Sequence, residues 1–373
     1  MGNNPLEVNI GYVYSATTRE VTNPRLSHKI SVPKEDDHHK ILQKRMHIIF
    51  YYEKNKKEED SGLYSGGWIR QSLGNALMEK PILAGRLRRS ENGDLEIISN
   101  DSGVRCVEVR VPLTMVEFLE FKKNNKFDGE TKLVSWNHVD ASNPLFSPLF
   151  YIQITNFQCG GYSIGISFSL LLVDPLTMTK FLKEWAKIHT SWVYENEFPK
   201  KSLFYTQDCK WMGCYQLDQS DTSSTSNSCN KISKTLIFNI ISDEKLNSRD
   251  DQMCKYLVSL CLEEAESKFL NKINSINYFT LIIKEENGGA KVEITSKTTD
   301  IHASERSRYE IESLNWEDLK INEVVFQKNN ELVDVSQWIA CDDTLEGVVQ
   351  VVISPHSEDN NGIKVYITFP SDK

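Results

Sequence analysis

One stretch constrains the fold of this chain more than any other: Gly160 to Trp185, GGYSIGISFSLLLVDPLTMTKFLKEW. Ile164, Ile166 and Phe168 alternate with Gly165, Ser167 and Ser169, the period-two pattern of a strand with one packed face. Leu170 to Val173 form an apolar corner. Asp174 followed by Pro175 is a helix start, with a carboxylate at N-cap and a proline at N1, where its missing N–H does no harm. Met178, Phe181, Leu182 and Trp185 follow at helical spacing. The spacing therefore predicts a buried strand, a sharp turn and an amphipathic helix.

This segment resembles the central motif of the BAHD acyltransferases, CoA-dependent plant enzymes that acylate alcohols and amines. Their signature at the strand-to-helix corner is His-x-x-x-Asp-Gly, with the His as general base and the Asp holding the corner in shape. Read onto this chain, Asp174 is the motif Asp, Leu170 holds the His position and Pro175 the Gly position. A leucine accepts no proton, so the general acid–base step of the family has no agent here. Within the family the resemblance is to the eceriferum/Glossy-type branch of cuticular wax biosynthesis, carried by PLFSPLFYIQITNFQCGGYSIGISFS (144–169) and NDSGVRCVEV (100–109). In that branch the fold is thought to assist a very-long-chain fatty-acid condensing enzyme.

Composition narrows the alternatives. The 373 residues, 39% of them hydrophobic, are enough for one large core or two moderate ones. A formal net charge of −9 leaves no basic excess for neutralising phosphates, so no nucleic-acid partner is expected. Lys54, Lys56 and Lys57 abut Glu58, Glu59 and Asp60 and read as a solvated loop. The eight cysteines include no C-x-x-C pair, and Cys209 and Cys214 lack a matching His/Cys pair, so no metal is expected and the thiols read as reduced. MGNNPLEVNIGY shows no apolar signal region, and Leu6 stands where myristoylation wants Ser or Thr. No run reaches the roughly 18 apolar residues of a membrane span. The expected location is cytoplasmic, associated with the endoplasmic reticulum only through a partner, with nuclear presence left open.

Along the chain, residues 7–15 alternate as an edge strand. The polar stretch 33–40 holds His38 and His39, read as a solvated loop. Residues 68–78 form a helix closed by Pro81, and the following P-x-L-A-G-R-L is a second point of resemblance; Gly85 allows a close backbone approach and Arg86 is expected to reach a surface carboxylate. DLEIISN and VRCVEVRV, on either side of Asp101-Ser102-Gly103, predict a short hairpin. Residues 114–127 predict a short helix and 149–157 a strand. Residues 217–230, LDQSDTSSTSNSCN, are Ser/Thr/Asn-rich and read as a linker. The expected domains are thus 1–216, a crossover at 217–230, and 231–373. The second half opens with a strand (235–240) and a helix (250–272) with Met253, Leu257, Leu260, Cys261 and Leu270 inward. It continues with a hairpin at Asn287-Gly288 and strands at RYEIESLNWEDL, LEGVVQVVIS and GIKVYITF. The second family signature, Asp-Phe-Gly-Trp-Gly, has its place held by Asp334-Val335-Ser336-Gln337-Trp338, of which only Asp334 matches. The resemblance also implies that the half is shortened after the Asn287 hairpin, where the enzymes build the CoA side of their channel.

Each candidate residue also has a structural explanation. Asp174 is fully accounted for as an N-cap, worth on the order of 1 kcal/mol. Ser167 and Ser169 flank the lost base and are unactivated alcohols without one. Gly161-Tyr162-Ser163-Ile164-Gly165 matches G-x-S-x-G, but that motif needs its Ser at a strand-to-helix turn, and Ser163 enters a strand. His138, in SWNHVD, is the candidate for a replacement base, though a histidine in a polar loop is ordinarily solvated. The resemblance implies an α/β fold of two chloramphenicol-acetyltransferase-like subdomains with a channel between them. Leu170, Ser169, Ser167 and His138 are the channel candidates, and Asp174, Pro175, Asp334 and Trp338 the degenerate motif positions. It further implies an accessory role in very-long-chain fatty-acid elongation, with a condensing enzyme as partner, a long acyl group as a possible ligand and no cofactor. The alternative is a divergent acyltransferase that uses acyl-CoA and another base, or a new specialised-metabolism enzyme on the same pocket.

Overall fold

Two sheets carry the structure, and β-strands drawn from both ends of the chain build each of them. The computed structural model describes residues 8–33, 38–53, 65–124, 129–195, 233–241, 250–273, 276, 278–285, 287–296, 308–326, 330–340, 346–353 and 362–370. The charged run 54–60, Cys209 and Cys214, and the 217–230 linker lie outside them.

The strands are β1 (Asn9–Ala16), β2 (Ser27–Ser31), β3 (Arg45–Glu53), β4 (Arg86–Arg89), β5 (Leu95–Ile98), β6 (Val104–Arg110), β7 (Phe150–Asn156) and β8 (Tyr162–Ser169), then β9 (Ser233–Ile241), β10 (Tyr278–Lys284), β11 (Ala290–Ser296), β12 (Glu310–Leu314), β13 (Glu331–Ile339), β14 (Glu346–Ile353) and β15 (Ile363–Pro370). The helices are α1 (His38–Leu42), α2 (Ser65–Glu79), α3 (Met115–Lys123), α4 (Pro175–Glu195) and α5 (Asp251–Ile273). A six-stranded sheet runs β1-β6-β7-β8-β3-β13 and a nine-stranded sheet β12-β9-β15-β14-β10-β11-β2-β5-β4. β1 is an edge strand, as its alternation predicts. In space each sheet takes strands from both sides of residues 217–230: β13 pairs with β3, and β2 pairs in parallel with β11. The fold is thus mixed α/β with two sheets.

The expected hairpin across Asp101-Ser102-Gly103 does not form. β5 pairs with β2 and β4, whereas β6 pairs with β1 and β7, so this segment carries the chain from one sheet to the other. Asp101 (φ 55) and Gly103 (φ 86) turn the backbone through the left-handed region. The Asp101 carboxylate then fixes the crossing by accepting from the Thr22 backbone N–H and the Thr18 hydroxyl, both at 3.0 Å. Arg86 reaches no surface carboxylate: it is buried, and its guanidinium donates to the carbonyls of Gly85 and Gly103 at 2.9 and 2.8 Å. The His38/His39 stretch is the short helix α1 rather than a loop.

α3 is closed by a capping box, the Thr114 hydroxyl on the Glu117 N–H and the Glu117 carboxylate on the Thr114 N–H. The Asn287-Gly288 hairpin pairs β10 with β11, with Gly288 at φ 86. α5 sets Leu257, Leu260 and Cys261 against one face of the nine-stranded sheet, together with Phe279, Leu281, Val349, Val351 and Val365. The opposite face of that sheet contributes Ile282, Val292 and Val348 to a second core, shared with Ile164, Ile166, Phe168 and Leu170 of the six-stranded sheet and with Met178, Leu182 and Trp185 of α4. β8 lies at the heart of this arrangement, between β7 and β3, and is buried on both faces rather than the one its alternation suggests.

Candidate functional site

The site is the corner between β8 and α4, and hydrogen bonds to its main chain from both sheets hold it. Leu172 N–H donates to the Ser169 carbonyl at 3.0 Å and Leu171 N–H to Ser169 Oγ at 3.2 Å, which closes the turn. Asp174 Oδ1 accepts the Thr177 N–H at 2.8 Å, so the carboxylate caps α4. Leu170 N–H donates to the Lys44 carbonyl at 2.9 Å, tying the corner to the start of β3. From the nine-stranded sheet, Gln350 Nε2 approaches the Leu170 carbonyl at 3.4 Å and Lys284 Nζ donates to the Leu171 carbonyl at 2.8 Å. The Leu170 side chain has no exposed surface and lies within the core between the sheets.

The electrostatics come from the face of the nine-stranded sheet turned toward this corner. Glu346 and Gln350 on β14, Thr280 and Lys284 on β10, and Tyr366 on β15 are all buried. Lys44 Nζ lies 2.9 Å from Glu346 Oε1, an ion pair with 0% and 2% side-chain exposure. Its ammonium makes no well-aligned hydrogen bond, so the contact is Coulombic. The Thr280 hydroxyl donates to the same Glu346 oxygen. Burial lowers the Lys284 amine to about 8, against the opposing pull of Asp174 and Glu285. Burial and the Asp174 charge raise the Tyr366 phenol well above its ordinary value, so it stays protonated. Three buried oxygens on this face, Gln350 Oε1, Tyr366 Oη and Glu346 Oε2, have no hydrogen-bond partner among the described residues.

The remaining sequence candidates separate. Ser167 accepts from Arg45 Nη1 at 2.9 Å, on the other face of the six-stranded sheet, where the Arg45 guanidinium stacks over Trp136 at 4.9 Å and Tyr151 at 5.5 Å. Ser169 is spent on its own turn. Ser163 sits inside β8 with both neighbouring strands paired to it, so the nucleophile-elbow geometry is absent. His138 is exposed, and its ring packs on Trp136 at 4.9 Å and beside His39 at 6.4 Å. Trp338 is buried against His47 at 5.0 Å, and Asp334 pairs with Lys122 at 2.7 Å, so these two positions fasten β13 to β3 and α3. Of the candidates, the corner thus unites Ser169, Leu170, Asp174 and Pro175, while Ser167, His138, Asp334 and Trp338 belong to other surroundings.

Lys44, Lys284, Gln350, Glu346 and Tyr366 were not singled out by sequence. The available signal was the alternation of Glu346, Val348 and Gln350 with Gly347, Val349 and Val351, a polar face of a strand that ordinarily faces solvent.

A second polar group missed in sequence lies behind the corner. Trp185 Nε1 donates to Ser72 Oγ at 3.0 Å, and Ser72 Oγ sits 2.9 Å from His189 Nδ1, all buried. Desolvation lowers His189 from 6.5 to about 4. The unfolded chain therefore takes up a proton that the folded one refuses as pH falls from 6.5 to about 4. Stability should drop by roughly 3 kcal/mol across that window and not change above it. Urea unfolding of the wild type and His189→Phe at stepped pH tests this; equal acid slopes would refute it.

Comparison with known proteins bears on the family of the chain. A model of the Transferase family matches residues 26–256. Among relatives, the chain is 34% identical over 119 residues to Protein ECERIFERUM 26-like of Arabidopsis thaliana, covering 32% of this chain and 27% of that one. It is 34% identical over 109 residues to Protein ECERIFERUM 2 of Arabidopsis thaliana, covering 27% and 25%. It is 31% identical over 128 residues to a hydroxycinnamoyltransferase of Narcissus pseudonarcissus, covering 34% and 28%. The aligned part thus spans about a quarter of the length of these relatives. Among solved structures, vinorine synthase aligns over 98% of this chain and 95% of its own, at 13% identity and a TM-score of 0.48. Among the described residues no helix is long and apolar enough to cross a membrane. The match over residues 26–256, more than half of the chain, means that the chain belongs to the transferase family of BAHD acyltransferases.

Proposed function

We propose that this chain is a BAHD-fold protein without acyl-transfer chemistry, serving as an accessory to very-long-chain fatty-acid elongation for cuticular wax and acting by binding a condensing enzyme. The observation that carries this reading is Leu170: the position where the family's general base stands holds a wholly buried hydrocarbon, and the groups around it are committed to its backbone. The similarity to the two eceriferum proteins supports the wax assignment. Attachment to the endoplasmic reticulum comes through the partner in this reading.

The test pairs two assays on the full-length chain. In a reconstituted elongase, the wild type should lengthen the products of a condensing enzyme, and Leu170→Gln, which buries an amide in an apolar site, should weaken this through loss of folded protein. In the second assay, acyl-CoA with alcohol or amine acceptors should give no turnover by the wild type. Turnover there would establish the divergent-acyltransferase alternative and end the accessory reading.

A further inference from the structure

We propose that His39 and His138 form a surface site for a divalent transition-metal ion, which on binding ties α1 to the 136–140 segment. The inference is independent of the accessory reading, since neither an acyl group nor a partner enters it. In the sequence His39 stands next to His38 with no third ligand in view, and His138 is remote from both. Folding changes this. The rings of His39 and His138 lie 6.4 Å apart, centre to centre, and are inclined by only 22°. Both residues are exposed, so an ion reaches them directly from solvent. Imidazole is the common nitrogen donor for nickel, copper and zinc. With metal–nitrogen bonds of about 2.1 Å and each nitrogen about 1.1 Å from its ring centre, two rings on one ion lie about 4.5 Å apart at a right angle and about 6.4 Å apart in line. The observed separation is the wide end of that range, and rotation of the exposed His39 side chain closes it toward adjacent positions.

The backbones that carry the two rings are already locked together. Gln43 is buried, and its amide nitrogen donates to the His39 carbonyl at 3.1 Å and to the Val139 carbonyl at 3.0 Å, while its oxygen accepts the Val139 N–H at 2.8 Å. One side chain thus fixes α1 against the residue that follows His138, and the ion has little backbone entropy left to remove. The His138 ring also packs on Trp136 at 4.9 Å, which narrows the orientations it samples. The Asp140 carboxylate lies within electrostatic reach of His39 and favours a cation there, while its Oδ1 accepts from the Ser142 hydroxyl and N–H at 2.6 and 2.9 Å. Among the described residues no group of three His, Cys, Asp or Glu side chains is placed to hold an ion, so the protein supplies two ligands and water the rest. An ion held this way keeps open positions, unlike the closed four-ligand sites of structural zinc.

The probe is nickel(II) chloride, preferred to copper because copper oxidises thiols and Cys159 is exposed. It is added to the untagged intact chain and followed by isothermal calorimetry and thermal unfolding. One nickel per chain is expected, with an unfolding midpoint that rises with nickel concentration. His39→Gln and His138→Gln should each weaken binding by more than the roughly 10–100-fold lost when a group that merely orients a ligand is removed. His38→Gln, the neighbour in sequence, should leave binding unchanged. Because both ligands are exposed, their variants should unfold at the wild-type midpoint when nickel is absent. If one does not, carbethoxylation of the wild type decides, read by peptide mass spectrometry: nickel should protect His39 and His138 together. Loss of binding in His38→Gln with His138→Gln unaffected would place the ion on the adjacent pair and overturn the proposal. No binding at all, or protection that leaves His138 reactive, would overturn it equally.

Discussion

A Gly165→Ala protein is expected to lose about 3 kcal/mol or more of stability, a large part of the roughly 5–15 kcal/mol that holds a domain folded. A Cβ at Gly165 would stand 1.9 Å from the Leu133 carbonyl oxygen and 2.9 Å from its carbon. Neither side can give way cheaply. β8 is fixed by pairing with Ile49 on one side and Gln153 on the other. The 129–133 turn is anchored by Gln153 Nε2 on the Lys132 carbonyl at 2.7 Å and by the Tyr51 hydroxyl on Glu130 at 2.8 Å. Backbone therefore meets backbone, and strand register, turn or both must break. Gly161→Ala is the control. Its nearest new neighbour, at 2.8 Å, is the end of the flexible Met115 side chain, so about 1 kcal/mol is expected. Urea unfolding of the three proteins measures this; a Gly165→Ala midpoint matching that of Gly161→Ala would show that the 129–133 turn is not pressed against β8.

The Gly165 contact also shows why parts of this molecule could be read from its sequence and others could not. Alternation, caps and turns are local, and they led to β8, the Asp174 cap, α4, the Asn287-Gly288 hairpin and the α5 face. What covers a face is not local. Gly165, Ser167 and Ser169 look like the solvent side of a strand, yet the 129–139 segment and Arg45 cover that side, and nothing in the sequence of β8 says so. Likewise β5 and β6 look like a hairpin because they are adjacent, but left-handed Asp101 and Gly103 send them to different sheets. At the site, the reading that Leu170 stands at the family's His position came from the motif resemblance alone. The groups that surround Leu170 arrive from β10, β14 and β15, more than a hundred residues away, where Lys284 ends an apolar run and resembles any solvated lysine.

Lys44→Met should cost about 3–5 kcal/mol, the usual loss when one member of a buried ion pair is removed and the other stays charged. Glu346 would keep only the Thr280 hydroxyl on Oε1, with Oε2 still unpartnered. The Lys44 carbonyl would go on accepting the Leu170 N–H, so the variant isolates the side chain from the backbone grip on the corner. One further result distinguishes a charge effect from a packing defect. In Lys44→Met/Glu346→Leu no charge is left stranded, and the double variant should be more stable than Lys44→Met by at least about 2 kcal/mol. Denaturant unfolding of the wild type and the two variants measures both. A single-variant loss below about 1 kcal/mol, or additivity of the two substitutions, would mean that solvent reaches Glu346 and that the space beside Leu170 is wet rather than sealed.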